Sequence, residues 1–492
     1  MALRWSRRWR SVLNLRLVAS ITLIFLFIWA ALPYDNAVRL SVRFNIHRAL
    51  SLVPGPFIKE HWLYQEPMFP VNWAHDVAII LKTGYGTQER VGPWFEALPA
   101  AINHESVLVV GDFESNVKLG GKPGLGSVRV HDVVAEVLEK EAHPQCKAED
   151  SCPRIEKYRT LSAAISAGED DLARNLSRRF GWELDAVKFL PALGLAHRSM
   201  PPKKWYILLD DDTYLIQPSL NTILGHFDPS TPYYIGNAVG DYRQRFAHGG
   251  SSITLSRAAM QKLFGSSSSS RRRPHDHDHD HNHNHNPEQH HHHQQRVLAE
   301  ARAASATEAQ ALGDRLLADA LLRLGVQVEE ATGRFFNGEQ PWASRLRADR
   351  FCAPVATFHR LTAREMARVG RLFRGAVGPV LWVDLWGTFY GMPSLAAMRD
   401  GEEDGGEGAA SLRRGWDYVG RLDENTVTLA DVEGAADCSG LCEARAWCLA
   451  WTWEEGARMC HVSPWVTVGR EAGGKVSGLH VGRVRSLADE CR

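Results

Sequence analysis

Three consecutive carboxylates, Asp210, Asp211 and Asp212, lie in the segment WYILLDDDTYL, Trp205 to Leu215. Tyr206 to Leu209 has the apolar, β-rich composition of a buried strand, and a core does not tolerate unpaired carboxylates. The acids must therefore sit at the mouth of that strand. Successive side chains alternate in an extended chain, so Asp210 and Asp212 point to one side and Asp211 to the other. Two carboxylates can then face one ion. Hard divalent cations such as Mg²⁺ and Mn²⁺ take oxygen ligands and complete their shells with phosphate oxygens and water. The pattern suggests a metal site for a diphosphate; the alternative for a bare DDD is an acidic turn or a helix N-cap.

Further groups could join this chemistry. In FAHGGSSITLSRAAM, Phe246 to Met260, Gly249 and Gly250 permit close approach of backbone to a ligand, or make an ordinary turn, and Ser256 is placed to cap a helix from Arg257. Asp314 opens a helical pattern in which Leu316, Leu317, Ala320, Leu321 and Leu324 share a face and Gly325 ends the run. An Asp there is also what capping and the helix dipole favour without any function. His359 follows the β-type run CAPVATFHRL, and a lone histidine is usually structural. The aromatic stretch LWVDLWGTFYG, Leu381 to Gly391, reads as core rather than as a sugar platform.

These groups need a scaffold. DVAIILKTG (Asp76 to Gly84), SVLVVGDFES (Ser106 to Ser115), the DDD strand and PYYIGNAVG (Pro232 to Gly240) are short β-rich runs separated by helix-length segments, with Lys188-Phe189-Leu190-Pro191 closing the segment before the DDD strand. That order predicts an α/β fold with a mostly parallel, Rossmann-like sheet whose carboxyl ends carry the site.

The chain has 492 residues and balanced formal charge, enough for one large and one smaller domain, and gives no argument for nucleic acid. Arg4, Arg7, Arg8, Arg10 and Arg16 precede the apolar run Leu17 to Leu32. A helix over that run covers about 24 Å at roughly 1.5 Å per residue, enough if Val12 to Leu15 join and Arg16 snorkels. The expectation is a cytoplasmic tip over residues 1–11, a transmembrane signal anchor over 12–32 and a type II orientation with the remainder in the lumen; a cleaved signal peptide is the alternative. Residues 33–74, of mixed composition with no sustained period, read as a stem. The low-complexity polar tract beginning at residue 266 predicts a disordered His-rich insertion over 266–308, and metal binding by its histidines competes with simple repeat expansion. Residues 395–414 read as a linker.

Eight cysteines suit an oxidising lumen. Cys146 and Cys152 could close a small loop, and five more, Cys438, Cys442, Cys448, Cys460 and Cys491, crowd the end of the chain; zinc competes, but the spacing lacks paired short knuckles. Asn175-Leu176-Ser177 is a glycosylation sequon.

Taken in order, the ILKTG strand, VVGDFE, KFLPAL, WYILLDDDTYL, FAHGGS, the GD-plus-helix segment, FNGEQPW and PVATFHRL resemble the fungal branch of the fringe and core-1 galactosyltransferase-like family of β1,3-glycosyltransferases. The resemblance runs from about Asp76 to Pro393 and implies a GT-A-like domain over 75–394. It makes Asp210 and Asp212 the metal and diphosphate carboxylates, with Asp211 toward the donor sugar, His359 the later metal ligand and Asp314 the general base. Thr83, Gly84 and Asp112 would border the nucleotide. Gly249 and Gly250 fall at the family's glycine pair, which is usually followed by a small residue and another glycine where this chain has Ser251-Ser252.

The resemblance implies a Golgi membrane enzyme that uses Mn²⁺ or Mg²⁺ and a UDP-sugar to transfer a hexose or N-acetylhexosamine to a glycan or glycoprotein acceptor, by inverting chemistry without a covalent intermediate. Residues 415–492 resemble a PAN/apple module, a small disulfide-braced fold whose cysteines would be Cys438, Cys442, Cys448 and Cys460, with Cys491 pairing inside the module or with Cys352. Two rivals remain: a lectin-like or adhesion protein binding through that tail, and a nucleotide-sugar hydrolase sharing the cation site.

Overall fold

The computed structural model describes residues 31–51, 65–99, 101–119, 126–140, 152–265, 287–308, 310–400 and 412–491, with positions 20, 22, 23, 29, 62 and 63. Its first five strands are β1 (Val77–Lys82), β2 (Val107–Gly111), β3 (Ser115–Lys118), β4 (Ser127–Asp132) and β5 (Trp205–Asp210). With Ile253–Ser256 and Tyr234–Gly236 they form a seven-stranded sheet. β1 lies between β2 and β5, parallel to both, and β4 is parallel to β2 on its far side. β3 closes one edge antiparallel to β4. Ile253–Ser256 runs antiparallel to β5, and Tyr234–Gly236 antiparallel to it in turn.

Every residue of β1 and β2 is buried, as strands covered on both faces must be, which is why VAIILK and VLVVG are continuously apolar up to their last positions. Ile79, Leu81, Val109, Ile207 and Leu209 face one core with Trp94, and Ile80, Val110, Tyr206 and Leu208 face a second built on Phe189, Leu193, Leu317 and Leu321. The register sets Lys82 opposite Asp210, so β1 and β5 finish side by side and their carboxyl ends open on common ground.

The second core rests on the 30-residue helix Asp170–Ser199. Lys188 to Pro191 lies inside this helix rather than closing it, and the chain runs on through Pro191. The stem is not without structure either: Ala37–Ser51 is a helix. It docks through aromatic and cationic contacts, with Phe44 against Tyr242 and Arg245 over the Phe44 ring. The expectation that the polar insertion is disordered as far as residue 308 is also corrected, because Pro287–Thr307 is helical. Val297, Leu298 and Ala301 recur at helical spacing and are buried in the second core, which supplies the apolar face that a disordered tract lacks. Residues 266–286 lie outside the described residues.

The anchor expected over 12–32 falls for the most part outside the described residues. Among the described residues, no helix is long and apolar enough to cross a membrane.

The tail is an antiparallel five-stranded sheet in the order Arg413–Asp417, Arg470–Leu479, Ala450–Glu454, Met459–Ser463 and Val427–Leu429, with the helix Ala435–Glu443 packed on it. Cys438–Cys460 and Cys442–Cys448 brace that helix, and Cys491 bonds to Cys352 of the larger domain. Cys152 is disulfide-bonded, while Cys146 lies outside the described residues. Leu346–Arg347 pairs antiparallel with Trp465–Val466, and Arg345 bridges to Asp423, so the tail is docked by strand, charge and covalent bond together.

Candidate metal and donor site

β5 delivers its acids where the extended-chain argument places them. Asp210 and Asp212 turn toward His359, whose Nε2 stands 3.8 Å from Asp210 Oδ2 and 3.2 Å from Asp212 Oδ1. One ligand atom from each of the three lies within 4.8 Å of the others. His359 Nδ1 is 3.3 Å from Gly338 O, a contact that makes Nδ1 the protonated nitrogen and leaves Nε2 to the carboxylates. Leu361 N donates to Asp212 O at 3.1 Å, tying the histidine loop to the acidic turn.

Burial alone would depress the His359 imidazole, but the carboxylates of Asp212 and Asp210 outweigh it and raise its pKa. Burial likewise would raise Asp210, yet the charges of Lys82 and His359 hold it below the ordinary carboxylate range. Among the described residues, the buried oxygen Asp212 Oδ1 has the His359 ring at 3.2 Å but no hydrogen bond of good geometry. Two carboxylates and one imidazole whose ligand atoms gather this closely suit a divalent cation.

Asp211 faces the other way and is buried. Thr83 and Thr87 donate to its Oδ2 at 2.7 and 2.6 Å, and Arg90 lies 3.3 Å from its Oδ1. Burial pushes the Asp211 carboxyl up to about 7 against these donors. Arg90 also lies 3.4 Å from Asp212 Oδ2, so one guanidinium spans both sides of the turn.

Beneath the acids is a buried charge network that the sequence reading missed. Lys82 Nζ sits 2.8 Å from Asp210 Oδ1 and 2.7 Å from Asp185 Oδ2. Burial would lower the Lys82 ammonium, but Asp185 and Asp210 hold it above its ordinary value. Lys188 Nζ donates to Thr83 O at 2.8 Å and lies 3.2 Å from Asp112 Oδ2. Asp112 Oδ1 in turn accepts from Tyr85 N at 3.0 Å. Asp112 is thus engaged by protein groups, while half-buried Gly84 begins the 3₁₀ turn Tyr85–Arg90 that carries Thr87 and Arg90. A lysine ending a fully apolar strand was a visible signal for Lys82; nothing local marks Asp185.

Gly249 and Gly250 join the Asp210, Asp212 and His359 cluster to Asp314. Gly249 N donates to Asp314 Oδ2 at 2.9 Å, and a Cβ on Gly250 would stand 2.2 Å from the His359 ring. Asp314 lies in the first turn of Gly313–Arg323 but does not cap its own helix through Oδ2, which instead holds the glycine pair. His248, also missed, packs its ring edge-on to His359 at 5.7 Å and is held by Ser251 Oγ at 2.8 Å. Asn175 is exposed on its helix, whereas Ser177 is buried and accepts from Gly86 N at 2.8 Å.

A family model described as Fringe-like matches residues 195–283. The match supports a fringe-like glycosyltransferase family. It spans the DDD turn, His248 and the glycine pair, while Asp314 and His359 lie beyond the fringe-like segment and reach its site through the fold.

Proposed function

We propose that the chain is a metal-dependent inverting glycosyltransferase that moves a hexose or N-acetylhexosamine from a UDP-sugar to a glycan or glycoprotein hydroxyl through a β1,3 linkage. The observation that carries this reading is the convergence of Asp210, Asp212 and His359 at the end of a parallel strand, inside a site whose strand and acidic turn match a fringe-like model.

Asp210, Asp212 and His359 would hold Mn²⁺ or Mg²⁺, which when bound supplies charge stabilisation for the leaving diphosphate. Arg90, 3.4 Å from Asp212, adds a fixed cation beside that charge. Thr83 and Gly84 border the donor end of the site, and Asp211 orients Thr83 and Thr87 there. In the transfer, the acceptor oxygen attacks the anomeric carbon as its bond to the diphosphate oxygen breaks. UDP leaves with that bonding pair, and the hydroxyl proton passes to Asp314, whose carboxylate is fixed by the Gly249 amide. No covalent enzyme intermediate is needed.

The arginine-rich start, the apolar run after it and the disulfide-bonded tail support a Golgi, type II placement with the site in the lumen. The tail's cysteine-braced helix on an antiparallel sheet supports a PAN/apple-like module.

The test is UDP release from a panel of UDP-sugars with Mn²⁺, set against Asp212→Ala and against EDTA. Donor-specific release that both controls abolish is expected. A parent protein that neither releases nor binds UDP in the presence of Mn²⁺ would sink the reading.

A further inference from the structure

The loop from Asn337 to Ala343 has two faces. On one, Gly338 O meets His359 Nδ1 and the loop backs the metal cluster. On the other, Trp342 and the neighbouring Arg360 form one wall of a cleft of about 180 Å³, and the opposite wall comes from the tail through Gly420, Arg421 and Arg470. The larger domain alone would leave this cleft open on one side.

Its chemistry is one-sided. Arg360, Arg421 and Arg470 are exposed, and none of the three forms an ion pair among the described residues. Of the two acids on the cleft, Asp417 is buried, lies 3.2 Å from Lys475 and accepts from Thr452 Oγ1 at 2.9 Å, which leaves Glu339 against three guanidinium groups. Arg360 also holds a backbone φ of +63°, a conformation that a non-glycine residue adopts at a cost. Gln340 Nε2, donating to Arg360 O at 3.1 Å, and Leu361 N, donating to Asp212 O, hold the residue there. The strain sets a guanidinium in the cleft one residue from the His359 imidazole. Across the gap, Arg345 donates to Arg421 O at 2.7 Å and pairs with Asp423, so the tail wall is fixed to the larger domain.

We propose that the tail completes the acceptor site and that this cleft receives an anionic saccharide, its carboxylate or phosphate held by the guanidinium forks of Arg360, Arg421 and Arg470 and its ring against Trp342. Planar oxyanions are what such forks grip bidentately, and the volume is that of a subsite rather than of a whole ligand. Naming the saccharide an acceptor rests on the transferase reading above.

The experiment uses the full-length chain and measures binding of three oligosaccharides differing only at one end: glucuronic acid, glucose 6-phosphate or glucose. Each is read with and without UDP and Mn²⁺, in the parent and in Arg421→Ala/Arg470→Ala, whose substitutions are both on exposed side chains. At least one anionic probe should bind about tenfold tighter than the neutral one, and the double variant should lose that preference while keeping parental UDP affinity. The stronger of the two anionic probes identifies the oxyanion. Equal binding of all three, or an anionic preference untouched in the variant, would overturn the inference. A parent that prefers the anionic probe yet never binds UDP would keep the anionic cleft and sink the transferase reading instead.

Discussion

In the proposed transfer Asp314 takes a proton and Asp212 holds the cation, and substitution should separate the two roles. Asp314→Asn keeps an oxygen for the Gly249 amide, so Mn²⁺-dependent UDP binding should persist while sugar transfer falls by about 10²–10⁴. Equal loss of binding and transfer in that variant would count against Asp314 as the base. Asp211 makes a pH prediction. Its folded pKa is raised by burial from 3.8 to about 7, so the folded state holds the proton more tightly and the group's contribution to stability falls as pH climbs through that window. In metal-free protein, Asp211→Asn should gain stability relative to the parent between about pH 5 and about pH 7; a difference that stays flat in denaturant titrations would refute the assignment.

Ser252 is the clearest single departure. It occupies φ 71°, ψ 151°, a region almost reserved for glycine, and its buried hydroxyl has no hydrogen-bond partner among the described residues. The family pattern that this segment resembles usually has glycine there. Ser252→Gly removes the strain and the unpaired hydroxyl together and should stabilise the protein by about 1 kcal/mol in equilibrium unfolding, net of glycine's larger entropy loss. An unchanged or lower midpoint would rule the strain out as significant.

The glycine pair matters at the scale of elements because it is where the antiparallel edge of the sheet meets the histidine loop. Gly250→Ala would place a methyl 2.2 Å from the His359 ring, so the imidazole must move. Mn²⁺ affinity should weaken by about tenfold or more with the fold intact, as for other losses of ligand orientation, and calorimetric titration of Mn²⁺ reads it. Parental affinity would mean that His359 is not a ligand. Much of this element framework was legible in advance: β1, β2 and β5 announce themselves as apolar runs ending in Lys82, Gly111 and Asp210, and strand alternation separated Asp211 from its neighbours. What was not legible came from long-range packing. Asp185 becomes a partner of Lys82 only because one 30-residue helix lies against β1, and that helix continues through a proline read as an end. The Ala37–Ser51 helix, whose apolar pattern is weak, takes its place from Tyr242 and Arg245, which no local pattern connects to it.

At the scale of the whole molecule, the question is whether the tail is a tethered module or part of one cooperative body. Tyr418, Leu449, Val466 and Val484 of the tail share a continuous apolar core with Phe351, Trp382 and Trp386 of the larger domain. A contact surface of that kind, with the Leu346–Arg347 strand pair and the Arg345–Asp423 bridge, couples the two parts before any covalent link is counted. The Cys352–Cys491 bond then closes a loop with a sequence separation of 139, which restricts the unfolded chain more than the folded one. Replacing both cysteines with serine should lower stability by about 2–4 kcal/mol, yet leave a single unfolding transition seen alike by tryptophan fluorescence and far-UV circular dichroism. UDP binding should be unchanged in the same variant, since none of the donor-site groups touches that bond. Two separated transitions would show that the covalent bond alone holds the tail in place, and the shared core would then be too weak to fix one wall of a binding cleft.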